Sequence, residues 1–146
     1  MLLKYLHVLS AILLIGNVVV TGVWAIIMWR AQGAKGFAAA ARAIIYTDLI
    51  FTFGMSMMLV LTGSMRAMQL GLPIMGTPWI ARAIWGLVVS TALWAVVLIP
   101  AQVTMLRAGV APDETVSKAY ARWSRVGWLA VVPMLYSVWQ MSAKPE

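Results

Sequence analysis

Four long apolar runs dominate the pattern of the chain, and short polar stretches separate them. The runs extend over Tyr5–Trp29, Ile44–Met65, Ala83–Leu106 and Val126–Ser142. As a helix rising 1.5 Å per residue, the first run is about 37 Å long, which exceeds a hydrocarbon core of roughly 30 Å. The pattern therefore predicts four transmembrane helices, and the short connections make neighbouring helices antiparallel.

The composition supports one membrane domain over residues 1–146. Hydrophobic residues make up 63% of the 146, charged residues only 10%, and the mean hydropathy is +0.91. So few polar residues cannot cover a soluble domain, so we expect an all-α antiparallel four-helix bundle that contacts the lipid bilayer. The net charge of +7 is spread singly along apolar runs, which argues against nucleic acid as a partner. The first run is also longer than the apolar stretch of a signal peptide and is expected to be retained.

The polar stretch before the fourth run predicts an additional short helix. Pro112-Asp113-Glu114 is typical of a first helical turn, and Val116, Tyr120 and Trp123 share one face after it. We expect this segment to lie along the membrane surface before the chain turns into the fourth span. Pro100 and Pro133 are expected to kink the third and fourth spans.

The distribution of basic residues predicts the orientation. The first and third connections carry seven Lys and Arg, whereas the termini and the second connection carry four. The positive-inside rule places the first and third connections in the cytoplasm and both termini outside.

Few polar side chains lie within the predicted spans. On the first span, Ser10, Asn17 and Thr21 share the face of His7 and are expected to be helix-packing groups. His7 is the only histidine, and it can be either a residue satisfied by a neighbouring span or a ligand. Lys4, on the same face, can reach lipid headgroups or an anionic ligand.

Asp48 is the only carboxylate within a predicted span. We expect it to be structural and to pair with Arg42 or Arg125 at the cytoplasmic end, with a proton-relay role as the alternative. Arg82 begins the third span on the side of His7, where it can reach headgroups or a negatively charged ligand group. The absence of Cys excludes disulfides, iron–sulfur clusters and thiol nucleophiles, so redox chemistry would require a bound cofactor.

Several short motifs carry a resemblance that covers essentially the whole chain. They are Leu3-Lys4-Tyr5-Leu6-His7-Val8-Leu9, Gly76-Thr77-Pro78-Trp79, Pro100, Arg122-Trp123-Ser124-Arg125-Val126-Gly127-Trp128 and Met141-Ser142-Ala143-Lys144-Pro145. The chain resembles a bacterial family of four-span membrane proteins of unknown function, DUF2269. The resemblance implies a multi-pass protein of the bacterial inner membrane and brings no activity with it.

The Lys-x-x-His start on the first of four helices is more distantly similar to two other membrane families. These are the HemJ-type protoporphyrinogen oxidases and the copper-resistance protein D-like domains. The first-helix histidine of the oxidases is associated with haem, which implies that His7 is the metal ligand of a b-type haem between the first and third spans. Arg82 and Lys4 are then expected near the propionates, and Trp79 and Trp85 beside the macrocycle.

The sequence departs from the oxidase pattern at two points. Arg82 stands where that pattern has a lysine, and there is no second histidine. The expected function is therefore electron transfer or haem-related redox chemistry rather than the oxidase reaction itself. The alternative is a non-catalytic accessory subunit that packs against other membrane subunits or against a second copy of the chain.

The orientation can be tested with reporter fusions. An alkaline phosphatase fused after Glu146 should be active, and one inserted near Lys35 should be inactive, because that enzyme matures only outside the cytoplasm. The reverse pattern of activity would refute the orientation and leave the bundle unaffected.

Overall fold

A computed structural model describes residues 1–145, and four long helices account for most of them. The helices are α1 (Leu2–Gly36), α2 (Ala38–Gln69), α3 (Pro78–Met105) and α4 (Asp113–Ala143). Each is long and apolar enough to cross a membrane, and residues 1–145 contain no strand. The predicted all-α architecture with four spans is confirmed.

Most of the apolar surface points away from the bundle interior. In the most apolar stretch of each helix, only 17% to 22% of the residues are buried inside the protein. Large side chains such as Ile12, Val96 and Val132 are more than 60% exposed. In a protein of this composition, such a surface is solvated by lipid.

The helices extend further than the apolar runs predicted. Phe37 alone separates α1 from α2, and the other connections cover only residues 70–77 and 106–112. Alanine, the best helix former, fills positions 38–41, so the polar stretch after the first span is largely helical. Gly33 interrupts α1 near its end with φ +63°, a value that glycine adopts without strain.

The separate interfacial helix expected before the fourth span is not present. Asp113–Ala143 is one continuous helix, with Asp113 and Glu114 in its first turn and Pro133 inside it. No proline interrupts residues 113–132, and the side chains of Tyr120 and Trp123 are buried in the bundle. The packing of these aromatic residues joins the segment to the span, and this interaction was not evident from the sequence.

Two of the helices contain a widened π-helical segment. These segments are Asp48–Phe53 in α2 and Trp94–Leu98 in α3. The second lies directly before Pro100, where the regular hydrogen-bond ladder loses one amide donor, as the proline predicted. The sequence carries no comparable signal for the first. Each π turn contains one residue more than an α-helical turn. The side chains after it therefore point in directions that differ from those of a regular α-helix.

The main apolar core lies at the end of the bundle that carries the first and third connections. There the indole of Trp29 stacks on the ring of Tyr120, with centroids 4.0 Å apart and planes 3° apart. Phe37 packs edge-on against both rings. Such aromatic contacts add to the apolar burial that holds α1, the start of α2 and α4 together.

Towards the other end of the bundle the helices pack in two separate pairs. Gly54–Gln69 of α2 packs against α1, and Pro78–Leu93 of α3 packs against α4. Among the described residues, the backbones of these two segments do not approach each other closely, and a cavity lined by Ser56 and by Leu87, Ser90 and Thr91 lies between them.

Small residues and side-chain hydroxyls hold α3 against α4. Ser137 donates a hydrogen bond to the carbonyl oxygen of Ala83 at 2.8 Å, and Ser90 donates one to the carbonyl oxygen of Ala130 at 2.9 Å. Gly86 lies at the closest approach of the two helices, where its lack of a side chain is required. Close packing through small residues replaces the hydrophobic driving force that helices lack in lipid.

Gly86→Ala should therefore weaken the bundle. The new methyl group would lie 2.6 Å from the carbonyl oxygen of Pro133 and against the hydroxyl of Ser137, so α3 and α4 must separate. We expect the free energy of unfolding to fall by about 1–3 kcal/mol, as in other overpacked sites. Thermal unfolding in detergent measures this change.

Gly16→Ala is the matched control, because an added methyl group there meets no atom within 4 Å. It should leave stability unchanged or raise it by up to about 1 kcal/mol, as replacement of a helical glycine does. Equal effects of the two substitutions would show that the contact at Gly86 is not a packing constraint.

Candidate functional site

The carboxylate of Asp48 lies at the centre of a buried network of hydrogen bonds. Its Oδ1 accepts from the hydroxyl of Thr52 at 2.8 Å and from the amide of Asn17 at 3.5 Å. Its Oδ2 accepts from the indole N–H of Trp94 at 3.2 Å and from the amide of Gln102 at 2.5 Å. With two donors on each oxygen, these bonds fill the roughly four acceptor positions of the group.

Three helices supply these donors. Asn17 belongs to α1, Thr52 to α2, and Trp94 and Gln102 to α3. Asn17 also donates to Thr52 at 3.2 Å and accepts from Thr21 at 3.2 Å. We call these six residues (Asn17, Thr21, Asp48, Thr52, Trp94 and Gln102) the Asp48 cluster.

Both π-helical segments begin at residues of this cluster. Asp48 is the first residue of one, and Trp94 is the first residue of the other. A π turn rotates the residues that follow it relative to those before it, and such turns are frequent at functional sites. The relative positions of Trp94 and Gln102 therefore depend on the segment that lies between them on α3.

The partners of Asp48 differ from those that the sequence predicted. Within residues 1–145, the ion pairs are Lys35–Asp113 at 3.9 Å and Lys118–Glu114 at 2.6 Å, and all four side chains are largely exposed. The expected pairing of Asp48 with Arg42 or Arg125 is wrong. Neutral donors from neighbouring helices take that place, and a basic side chain at the interface need not enter the bundle.

The expectation that Asn17 and Thr21 are helix-packing groups is confirmed by their bonds within the cluster. Sequence reasoning missed Trp94 and Gln102. The available signal was Gln102, an amide in an apolar span that needs a partner. Nothing in the sequence indicated that its partner would be Asp48.

A cavity of about 40 Å³ adjoins the Asp48 cluster, and we call it the Asp48 cavity. Its polar lining includes Asp48, Thr21 and Thr52, and three indole rings contribute to its walls, those of Trp94, Trp123 and Trp128. The indole N–H of Trp123 is buried and has no hydrogen-bond partner. A buried donor without a partner is unfavourable, so this N–H is available to an acceptor such as a water molecule.

His7 contacts the other half of α2. Its Nδ1 lies 3.1 Å from the carbonyl oxygen of Leu59 and 3.2 Å from the hydroxyl oxygen of Thr62. The Thr62 hydroxyl donates to the carbonyl oxygen of Met58 at 2.6 Å, so both neighbours of Nδ1 are acceptors. This arrangement assigns the proton of a neutral imidazole to Nδ1 and leaves the lone pair on Nε2.

Gly63 allows the ring of His7 to lie close to α2. A methyl group at Gly63 would lie 2.9 Å from Cε1 of the imidazole and 3.2 Å from Nδ1. The histidine is thus positioned by contacts from α2 on one side and by its own helix on the other.

Of the other residues predicted for a haem site, Lys4 lies one turn before His7 on α1, and the remaining three lie on α3. Trp79, Arg82 and Trp85 lie on the first half of α3, which packs against α4 and, among the described residues, not against α1. The Trp85 side chain is 62% exposed, and the ammonium of Lys144 lies 5.4 Å from the centre of the Trp79 ring. Lys4 is exposed on α1, three residues before His7.

These positions bear on the fit of a haem. His7 can supply one axial nitrogen, which is sufficient for a b-type haem, and its second ring nitrogen has the backbone partner that ligating histidines usually have. Residues 1–145 also contain no group of three or more His, Cys, Asp or Glu side chains that could hold a metal ion.

Gln102→Leu should destabilise the bundle. The substitution removes one donor from the Asp48 carboxylate while keeping a buried side chain of similar size, so one acceptor position in the interior loses its partner. We expect the free energy of unfolding to fall by about 1.5–3 kcal/mol, the range for hydrogen bonds to charged groups. Chemical or thermal unfolding in detergent gives this difference.

Gln140→Leu is the matched control. Gln140 is also fully buried, but its Oε1 has no hydrogen-bond partner. Its replacement should cost less than that of Gln102, or should stabilise the protein. A Gln102→Leu variant as stable as the parent would show that the Asp48 cluster does not contribute to stability.

Comparison with known proteins identifies a family over nearly the whole chain. The model of the family described as "Predicted integral membrane protein (DUF2269)" matches residues 1–145. No curated protein and no solved structure matches the chain. Four long apolar helices agree with the description of this family, and the chain belongs to it.

Proposed function

We propose that the protein binds a b-type haem through Nε2 of His7 and takes part in electron transfer or haem-related redox chemistry in the bacterial inner membrane. One observation carries the proposal. The bond from His7 Nδ1 to the Leu59 carbonyl oxygen leaves Nε2 as the unprotonated nitrogen of the only imidazole in the chain. This pairing is the one that orients histidines for ligation of iron in other proteins.

Residues of α1 and α2 have defined roles in this proposal. Leu59 and Thr62 hold the imidazole plane, and the absence of a side chain at Gly63 lets the ring approach α2. Lys4 lies one turn before His7 and can meet a propionate. Bound haem iron would supply the one-electron chemistry.

Arg82, Trp79 and Trp85 have a less direct role. The backbone of their half of α3 does not approach that of α1 closely, so they would contribute to the α3 side of a ligand placed between the two helices. We propose Arg82 as a second contact for a propionate and the two indoles as side walls. Substitution of these three residues should therefore affect haem binding less than substitution of His7 does.

The absorption spectrum of protein purified from haem-replete cells tests the proposal. The parent should show a Soret band, and His7→Ala should lose or shift it, because the axial nitrogen is removed. The circular dichroism spectrum and unfolding temperature of the variant must show that it is still folded.

Gly16→Ala provides a control on the same helix, and it should retain the Soret band of the parent. A colourless parent would refute haem binding. An unchanged Soret band in folded His7→Ala protein would refute His7 as the ligand.

The alternative function is that of an accessory subunit, and one observation favours it. The backbones of Gly54–Gln69 and Pro78–Leu93 do not approach each other closely, so this side of the bundle is where another membrane subunit or a second copy could pack. A colourless protein with a native mass well above that of a 16.0 kDa chain would support this function. A colourless protein that remains monomeric in mild detergent and in nanodiscs would count against it.

A further inference from the structure

We infer that the Asp48 cavity binds a short-chain primary alkylammonium ion, with the ammonium group beside Asp48 and the alkyl chain directed into an adjoining apolar cavity. This site is distinct from that of His7, and the inference does not depend on haem binding. It rests on an unpaired buried charge, on aromatic walls, and on the size and shape of the space.

The first step concerns the charge of Asp48. The residue is only 7% exposed, and all four groups that bond to its carboxylate are neutral donors. Neutral donors satisfy the lone pairs of a carboxylate but leave its net charge uncompensated. In the low dielectric of a membrane protein, such a charge attracts a cation strongly, and no basic side chain among residues 1–145 forms an ion pair with it.

The second step concerns the type of cation. The rings of Trp94, Trp123 and Trp128 line the same cavity as Asp48. Indole faces attract organic ammonium ions, and the attraction is stronger where water is excluded. The hydroxyl oxygens of Thr21, Thr52 and Ser124 line the cavity and can accept from the three N–H groups of a primary ammonium ion, whereas they are too few to complete the six or more oxygen ligands of a hard metal ion.

The third step concerns size. The Asp48 cavity has a volume of about 40 Å³, which compares with roughly 30 Å³ per molecule in liquid water. It can hold one ammonium group but no bulky ring. A second cavity of about 50 Å³ shares part of its lining with the first, including Val18, Leu98 and Gly127. Phe53, Leu87 and Met134 make this second space apolar, as a short alkyl chain requires.

The buried indole N–H of Trp123 is a donor and therefore does not bond to the ammonium group itself. The residue lines the Asp48 cavity, and its N–H has no acceptor among residues 1–145. A water molecule can accept from Trp123 instead. The cavity thus offers a negative charge, aromatic faces and one unused donor within a small space.

A cavity-filling substitution tests the site without altering the Asp48 cluster. Gly127 lines both cavities, and an added Cβ there meets no atom within 4 Å, so Gly127→Val fills free space. Gly16→Val is the matched control, because its Cβ also meets no atom within 4 Å and Gly16 lines neither of the two cavities.

The measurement is a titration of tryptophan fluorescence in detergent. n-Butylammonium chloride is the probe, 1-butanol is the neutral molecule of similar shape, and sodium chloride keeps the ionic strength constant. The parent and Gly16→Val should show a saturable change with butylammonium and a weaker response to butanol. Gly127→Val should raise the apparent Kd for butylammonium by about tenfold or more.

Asp48→Asn then tests the role of the charge. The variant keeps the shape of the side chain, so a folded Asp48→Asn protein should lose the preference for butylammonium over butanol. If the variant does not fold, the comparison of Gly127→Val with Gly16→Val still decides the inference. Equal responses of the parent to butylammonium and butanol would overturn it, and so would a Gly127→Val variant that binds butylammonium like the parent.

Discussion

The arrangement of the first three helices depends on one constraint, the need of a carboxylate buried in an apolar bundle for hydrogen-bond donors. A charge at that position is tolerated only if its environment supplies polar partners. The partners of Asp48 come from α1, α2 and α3, so the rotation of each helix about its axis is limited at this depth. The two π-helical segments lie at this depth, and each rotates the residues that follow it about the helix axis. This rotation turns the donor side chains towards the Asp48 carboxylate.

The fourth helix is held by a different kind of contact. Hydroxyl groups of Ser90 and Ser137 bond backbone carbonyl oxygens across the α3–α4 interface, and Gly86 permits the close approach. Such contacts fix the distance between two helices without burying a charge. The bundle thus combines the buried Asp48 cluster, which joins α1, α2 and α3, with close packing of small residues between α3 and α4.

The sequence was sufficient to predict the four spans but not the contacts between them. Length and apolar composition decide whether a helix can cross a bilayer, and both are local properties. The partners of Asp48 depend on how α2 and α3 are rotated about their axes, and the π segment Asp48–Phe53, which the sequence does not signal, shifts the faces of α2. Arg42 and Arg125 were plausible partners by depth alone, whereas Gln102 and Trp94 became partners through geometry.

Helix boundaries were predicted less accurately, for a related reason. The apolar runs end where charged residues begin, but charge at a membrane interface does not end a helix. Alanines at positions 38–41 and the buried rings of Tyr120 and Trp123 continue the helices beyond the apolar runs. For the candidate site, His7 was recognised because it is the only imidazole, and its contacts with Leu59 and Thr62 required the structure.

His7 and the Asp48 cluster connect the helices in different ways, and their physical roles differ accordingly. His7 and Asn17 are ten residues apart on α1, about 15 Å along the helix axis, and each bonds to α2. Two polar contacts at separate depths join α1 and α2 into one unit. The hydrogen bonds described between α3 and that unit come from Trp94 and Gln102 and end at the Asp48 carboxylate. A ligand beside Asp48 therefore acts at the hydrogen-bonded junction between the α1–α2 unit and α3, whereas a ligand on His7 acts on a unit already fixed by its own contacts.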